Sequence, residues 1–169
     1  MTHATRIHLR VVHAALAVFC TAALLHALPA AALTEKLDDS ASPQSRVQMP
    51  LQWAANADSS LATAQGRIEY RLSTARYAGK QARVYFVIPP LVPGLLSPTA
   101  LQVEWRGQGP FAPGKAHPGG RSLVWSGTVA TPWLADTLEL RLQLDTRGVK
   151  LMRGMDFGFE PYFEIEVMP

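Results

Sequence analysis

From position 47 onward, apolar and polar residues alternate along the chain. Val47, Met49, Leu51 and Trp53 are separated by Gln48, Pro50 and Gln52, the period-two pattern of a strand with one buried face, because successive side chains point to opposite sides. Pro50 cannot donate to a ladder, which predicts an edge strand or one with a partner on a single side. The pattern recurs. Ile68, Tyr70 and Leu72 oppose Arg67, Glu69 and Arg71; Leu101, Val103 and Trp105 oppose Gln102, Glu104 and Arg106. Leu138, Leu140, Leu142 and Leu144 alternate with Glu139, Arg141 and Gln143 in the cleanest row of all. Leucine favours helices, but a helix would set Leu138 and Leu140 about 200° apart, so strict alternation over this row predicts a strand. The unbroken run 84–88 predicts a central strand covered on both faces. Leu123 and Trp125 begin another strand, and both are expected inside. Asp145, Thr146, Arg147 and Gly148 form a turn, Val149 and Leu151 open a returning strand, and Phe163, Ile165 and Val167 oppose Tyr162, Glu164 and Glu166 in the last one.

Seven or eight strands with no sustained helical period predict an all-β domain over residues 45–169. One-faced strands must bury that face against a second sheet, so an antiparallel β-sandwich of immunoglobulin-like type is the expected fold. A small closed barrel is the alternative for the same strand spacing. Trp53, Trp105 and Trp125 fall in phase with apolar neighbours and are expected in the core.

The segment ahead of the strands reads differently. Residues 1–32 carry Arg6 and Arg10 without an acid, then a run from Val11 to Leu25 broken only by His13 and Thr21, then Pro29 and three alanines at 30–32. This is the pattern of a signal peptide cleaved before Leu33, and the apolar run falls short of the roughly 20 residues a spanning helix needs. Cys20 follows the bulky Phe19, which speaks against a lipid-anchored signal. Residues 33–44, rich in Asp, Ser and Pro, are expected to form a flexible leader. The processed chain is then exported, to a periplasm or cell surface, with no membrane span.

Processing also changes the chemistry on offer. The chain has 169 residues, 48% of them hydrophobic, with 16 basic and 13 acidic residues, five histidines and one cysteine. Loss of Arg6 and Arg10 leaves 14 bases against 13 acids, interspersed, so nucleic acid is not an expected partner. The cysteine and four histidines go with the same segment. His117 alone remains, which removes a His-based triad and a zinc cage, and no calcium-loop spacing is present. No cofactor and no metal are expected. Glu160, Glu164 and Glu166 share the even-numbered parity of the last strand. Residues two apart on one face lie about 7 Å apart, within the range of glycosidase carboxylate pairs, though a solvated face gives the same spacing.

Two segments break the strand pattern. Residues 89–98 combine four prolines with large apolar residues, including Leu91, Leu95 and Leu96, too apolar for an ordinary loop; they cap the core or bind a protein. Residues 107–120 hold five glycines and three prolines, the composition of a mobile loop. Trp133, after Pro132, is the candidate stacking platform for a sugar or a partner. The segment 47–53, with Val47, Met49, Leu51 and Trp53, follows the leader and is placed either to fold back or to be donated to a neighbouring sheet edge. The architecture loosely resembles that of bacterial surface-fibre subunits and accessory envelope domains. That resemblance implies a non-catalytic structural or assembly module with a protein partner or self-assembly. A carbohydrate- or ligand-binding module and a small hydrolase using Glu164 and Glu166 are the alternatives.

Overall fold

The computed structural model describes residues 33–53, 60–150 and 156–169; the export signal expected over 1–32 and Leu151 of the returning strand lie outside them. The strands, in chain order, are β1 (Leu33–Lys36), β2 (Val47–Pro50), β3 (Gln52–Trp53), β4 (Leu61–Ser73), β5 (Gln81–Val87), β6 (Leu101–Gly107), β7 (Gly114–Ala116), β8 (Arg121–Thr128), β9 (Trp133–Asp145), β10 (Asp156–Phe159) and β11 (Tyr162–Val167). One sheet has the order β1-β11-β5-β8 and a second β3-β4-β9-β6-β7, both antiparallel throughout and neither closed into a barrel. The fold is a β-sandwich. Successive long strands β4, β5, β6, β8, β9 and β11 fall alternately in the two sheets, so each sheet's neighbours come from distant sequence.

The predicted inward rows meet between the layers. Ile68, Tyr70 and Leu72, Leu101, Val103 and Trp105, and the leucines from 138 to 144 are all buried, and Phe86 and Phe163 face them from the other sheet. Tyr70 meets Phe163 edge-on with ring centroids 4.8 Å apart, and Phe86 meets Trp105 at 4.9 Å. Such geometry aligns the positive ring edge with the negative ring face and adds to the area term.

Three expectations change and one open alternative closes. The leader is not a free tail: β1 pairs with Val167 through Glu164 of β11, Leu37 is buried, and its N–H donates to the Phe163 carbonyl at 2.8 Å. One leucine and a ladder outweigh the polar composition around them. The segment 47–53 folds back: β2 pairs with β10, the backbone turns at Leu51, and β3 pairs with β4, so one stretch of chain passes from one pairing to another at a sandwich corner. In β8 the inward residue is Val124. A bulge opposite Val84 and Tyr85 inserts it into the ladder, leaving Leu123 47% exposed and Trp125 only partly buried. Finally, β5 is central but among the described residues no second layer covers its outer face. Tyr85 points outward, and the Arg121 guanidinium lies 3.3 Å from its ring centroid.

The segment 107–120 is the largest departure from a mobile loop. Phe111 is buried against Phe163, with centroids 5.5 Å apart, and β7 forms within the segment. The fastening is Asp136 of β9, a carboxylate only 6% exposed. Its Oδ1 accepts the N–H groups of Gln108 and Gly109 at 3.0 and 2.7 Å, and its Oδ2 accepts that of Phe111 at 2.7 Å. A buried carboxylate is costly unless its lone pairs are filled, and the loop backbone fills them. Gly107 is required at the base of this arrangement, because a Cβ there would collide with the Phe111 carbonyl and the Asp136 carboxylate.

Candidate functional site

The residues that the sequence offered as binding candidates do not converge. Trp133, 45% exposed, begins β9 opposite Ser73. The proline segment lies beyond the other end of the same strand, where the Leu96 N–H donates to the Gly148 carbonyl at 2.8 Å. With 13 residues in β9, the two are separated by roughly 40 Å of strand. Val47 and Met49 are buried within their own chain, and Leu51 and Trp53 pack against the core.

The proline segment is held firmly while its tip stays bare. Val92 is buried, Leu95 bridges to Val149, the Leu95 N–H donates to the Val92 carbonyl at 3.1 Å, and the Lys150 N–H donates to the Gly94 carbonyl at 2.7 Å. Proline fixes φ at several positions of this turn and removes donors that would need partners. Leu91 and Leu96 nevertheless stand 86% and 67% exposed beside a shallow apolar hollow of about 310 Å³.

The glutamates behave as members of a charged sheet face. Glu160 precedes β11 and pairs with Arg46 at 3.3 Å, away from the other two. Glu164 and Glu166 project from β11, where Arg121 of β8 spans both, its Nε 2.7 Å from Glu164 and a terminal nitrogen 3.3 Å from Glu166. Arg83 adds a second cation 3.7 Å from Glu166. A hydrogen bond from the Tyr85 hydroxyl, together with Arg121, holds Glu166 below the usual carboxylate range. His117 is exposed, and its Nδ1 lies 2.7 Å from the Leu101 carbonyl. Among the described residues no three His, Cys, Asp or Glu side chains form a group able to hold a metal, and no helix is long and apolar enough to cross a membrane.

A further concavity lies on the outer face of the five-stranded sheet. It is a groove of about 620 Å³. Register builds it: Gln65, Arg141, Glu104 and Lys115 stand side by side across β4, β9, β6 and β7, and Arg67, Glu139 and Arg106 form the next row. Outward parity of Arg67, Glu104, Arg106, Glu139 and Arg141 was readable in the sequence, whereas Gln65 and Lys115 carried no such reading. Which strands are neighbours was not readable, and neighbours make the groove.

No family model matches the chain, and neither a curated protein nor a solved structure is similar to it.

Proposed function

We propose that the chain is an exported, non-catalytic interaction module that docks a protein partner through the apolar crest of residues 90–98. Exposure of Leu91 and Leu96 on a fastened turn is the observation that carries this reading. A contiguous apolar tip is unfavourable in water, and holding it in one conformation reduces the ordering cost of association. Export rests on the pattern of residues 1–32. The non-catalytic reading is supported by Glu164 and Glu166. A general acid must carry a proton near neutral pH, and carboxylates clamped by Arg121, with Glu166 held acidic, suit a structural ladder instead.

The test is site-specific photo-crosslinking in cells that make the protein, with the photoreactive residue at position 91 or at position 80. Lys80 is exposed and lies at the opposite end of β5. A discrete adduct from position 91, absent from position 80 and lost in Leu96→Ser, is the expected outcome. Diffuse labelling from both positions, or no adduct from position 91, removes the crest as an interface. Stable monomers and dimers are separated in the same gel, so self-assembly registers as an adduct of twice the chain mass.

A further inference from the structure

We infer that the groove on the outer face of the five-stranded sheet is a binding site for an acidic oligosaccharide, one bearing both carboxylates and free hydroxyls. It does not rest on the apolar crest. Three cations project into the groove, Arg106, Lys115 and Arg141, and among the described residues none of them makes a direct ion pair. Their natural counter-charges are already engaged: Glu139 accepts from Arg67 and Gln108, each at 3.0 Å, and Glu104 accepts from Gln102 at 2.8 Å. Those bonds, with the Gln108 contact first, hold Glu139 below the usual carboxylate range. The groove therefore presents cationic donors beside charged acceptors.

Geometry sets the size of the ligand. Arg141 and Lys115 lie two strands apart in one row, about 10 Å, and Arg106 one register step along from Glu104, about 7 Å. That triangle suits carboxylates on a short saccharide, and the volume lies in the range of small-ligand sites. The acceptors decide the class. A nucleic acid would bring a phosphate charge at every step against Glu104 and Glu139, whereas sugar hydroxyls donate to those carboxylates and to the Gln65 amide while uronic carboxylates meet the cations. The ladder beneath, β4 to β9 to β6, is continuous and holds the side chains at fixed spacing.

Trigalacturonate titrated calorimetrically into the full-length chain tests this, with maltotriose, polyglutamate and a single-stranded oligonucleotide as parallel probes. Saturable binding of trigalacturonate in preference to all three is expected, weakening as salt is raised. The Arg106→Ala/Lys115→Ala/Arg141→Ala triple should lose about tenfold in affinity. Glu104→Ala separates the two physical causes: removing a negative charge tightens any purely electrostatic attraction, whereas removing a hydroxyl acceptor weakens a sugar complex. Melting curves of each variant establish that the sheet is intact. Absence of trigalacturonate binding, equal binding by the triple variant, preference for polyglutamate or the oligonucleotide, or an unchanged or tighter Glu104→Ala complex overturns the assignment. Leu91→Ser/Leu96→Ser leaves this binding unchanged, which keeps it distinguishable from the crest.

Discussion

Replacing Asp136 by alanine should cost more stability than removing any ion pair on the surface. Its carboxylate receives three N–H groups from the loop that follows β6 and a fourth, at 2.6 Å, from Thr137. Hydrogen bonds to a charged group contribute about 1.5–3 kcal/mol each, and a buried donor left without a partner costs about 1–3 kcal/mol. Gln108 and Gly109 are exposed and can turn to water, whereas Phe111 is buried and its N–H cannot. Counting the Phe111 loss in full and the exposed pair in part gives about 3–4 kcal/mol for Asp136→Ala, a large share of the 5–15 kcal/mol that holds a domain together. Asp136→Asn should fare little better, at about 2–3 kcal/mol. Its amide keeps one acceptor oxygen for Gln108 and Gly109 and then sets an NH₂ against the Phe111 N–H, donor against donor.

Urea unfolding followed by tryptophan fluorescence measures both. With a denaturant slope of about 1.5 kcal/mol per molar, the alanine midpoint falls by about 2 M at unchanged slope. A second readout is local. The Trp105 Nε1–H donates to the Ala112 carbonyl at 3.1 Å, so its exchange with solvent should accelerate in the variant before global unfolding. A midpoint loss worth less than about 1 kcal/mol, or an asparagine variant equal to wild type, would show that the loop holds itself without the carboxylate.

Other expected outcomes have a definite sign. The Tyr70 hydroxyl is fully buried with no hydrogen-bond partner among the described residues, and burial pushes its pKa well up; Tyr70→Phe keeps the rings packed on Phe163 and Phe86 and should stabilise by about 1 kcal/mol in the same urea assay. Leu37→Ala should cost about 2–5 kcal/mol, as for any buried leucine, whereas a free leader would give no change. Asp145, bonded by the Arg147 side chain and backbone N–H, is pushed down to about 2 from 3.8. A depressed carboxylate contributes stability above its unfolded pKa, and that contribution fades as pH falls from about 4 towards 2. Carboxyl NMR should therefore show Asp145 titrating near 2 in the native chain and moving back towards 3.8 in Arg147→Ala; an unmoved titration refutes the pairing.

Periodicity made the core legible because parity is a local property. Each of Leu138, Leu140, Leu142 and Leu144 points inward as its spacing required. Asp136 carries the same parity, two residues before Leu138, and a carboxylate on a buried row signals that donors must come to it. The sequence could flag that position, but not that Gln108, Gly109 and Phe111, 25 to 28 residues away, would supply them. Parity also fails where a ladder gains a residue. The bulge at Val124 exchanges the inward and outward roles of β8, and no local pattern marks it. Short pieces escaped for a different reason: β1, β7 and β10 have four residues or fewer, too few for a period to establish itself. The cationic groove combines both difficulties: Arg106 and Arg141 were legible as outward residues, Lys115 lies on the short β7, and their adjacency follows from sheet order.

Exposed backbone at sheet edges is another place at which this fold could meet a second chain. An unpaired edge offers a template for another chain, and proteins shorten or cover such edges. The five-stranded sheet ends in β3, of two residues, and β7, of three; the four-stranded sheet ends in β1, of four. The remaining edge, β8, has eight residues and is the one that needs a cover. There the Ala112 N–H reaches across to the Val124 carbonyl at 2.7 Å, in the loop that Asp136 pins at Gln108, Gly109 and Phe111. The bulge and the buried carboxylate thus meet at this edge, where the pinned loop covers Val124 against strand addition. Loss of Asp136 should consequently appear as concentration-dependent association as well as a lower urea midpoint. Light scattering that stays monomeric in Asp136→Ala, under conditions where the loop exchanges freely, would show that β8 is protected by its bulge alone.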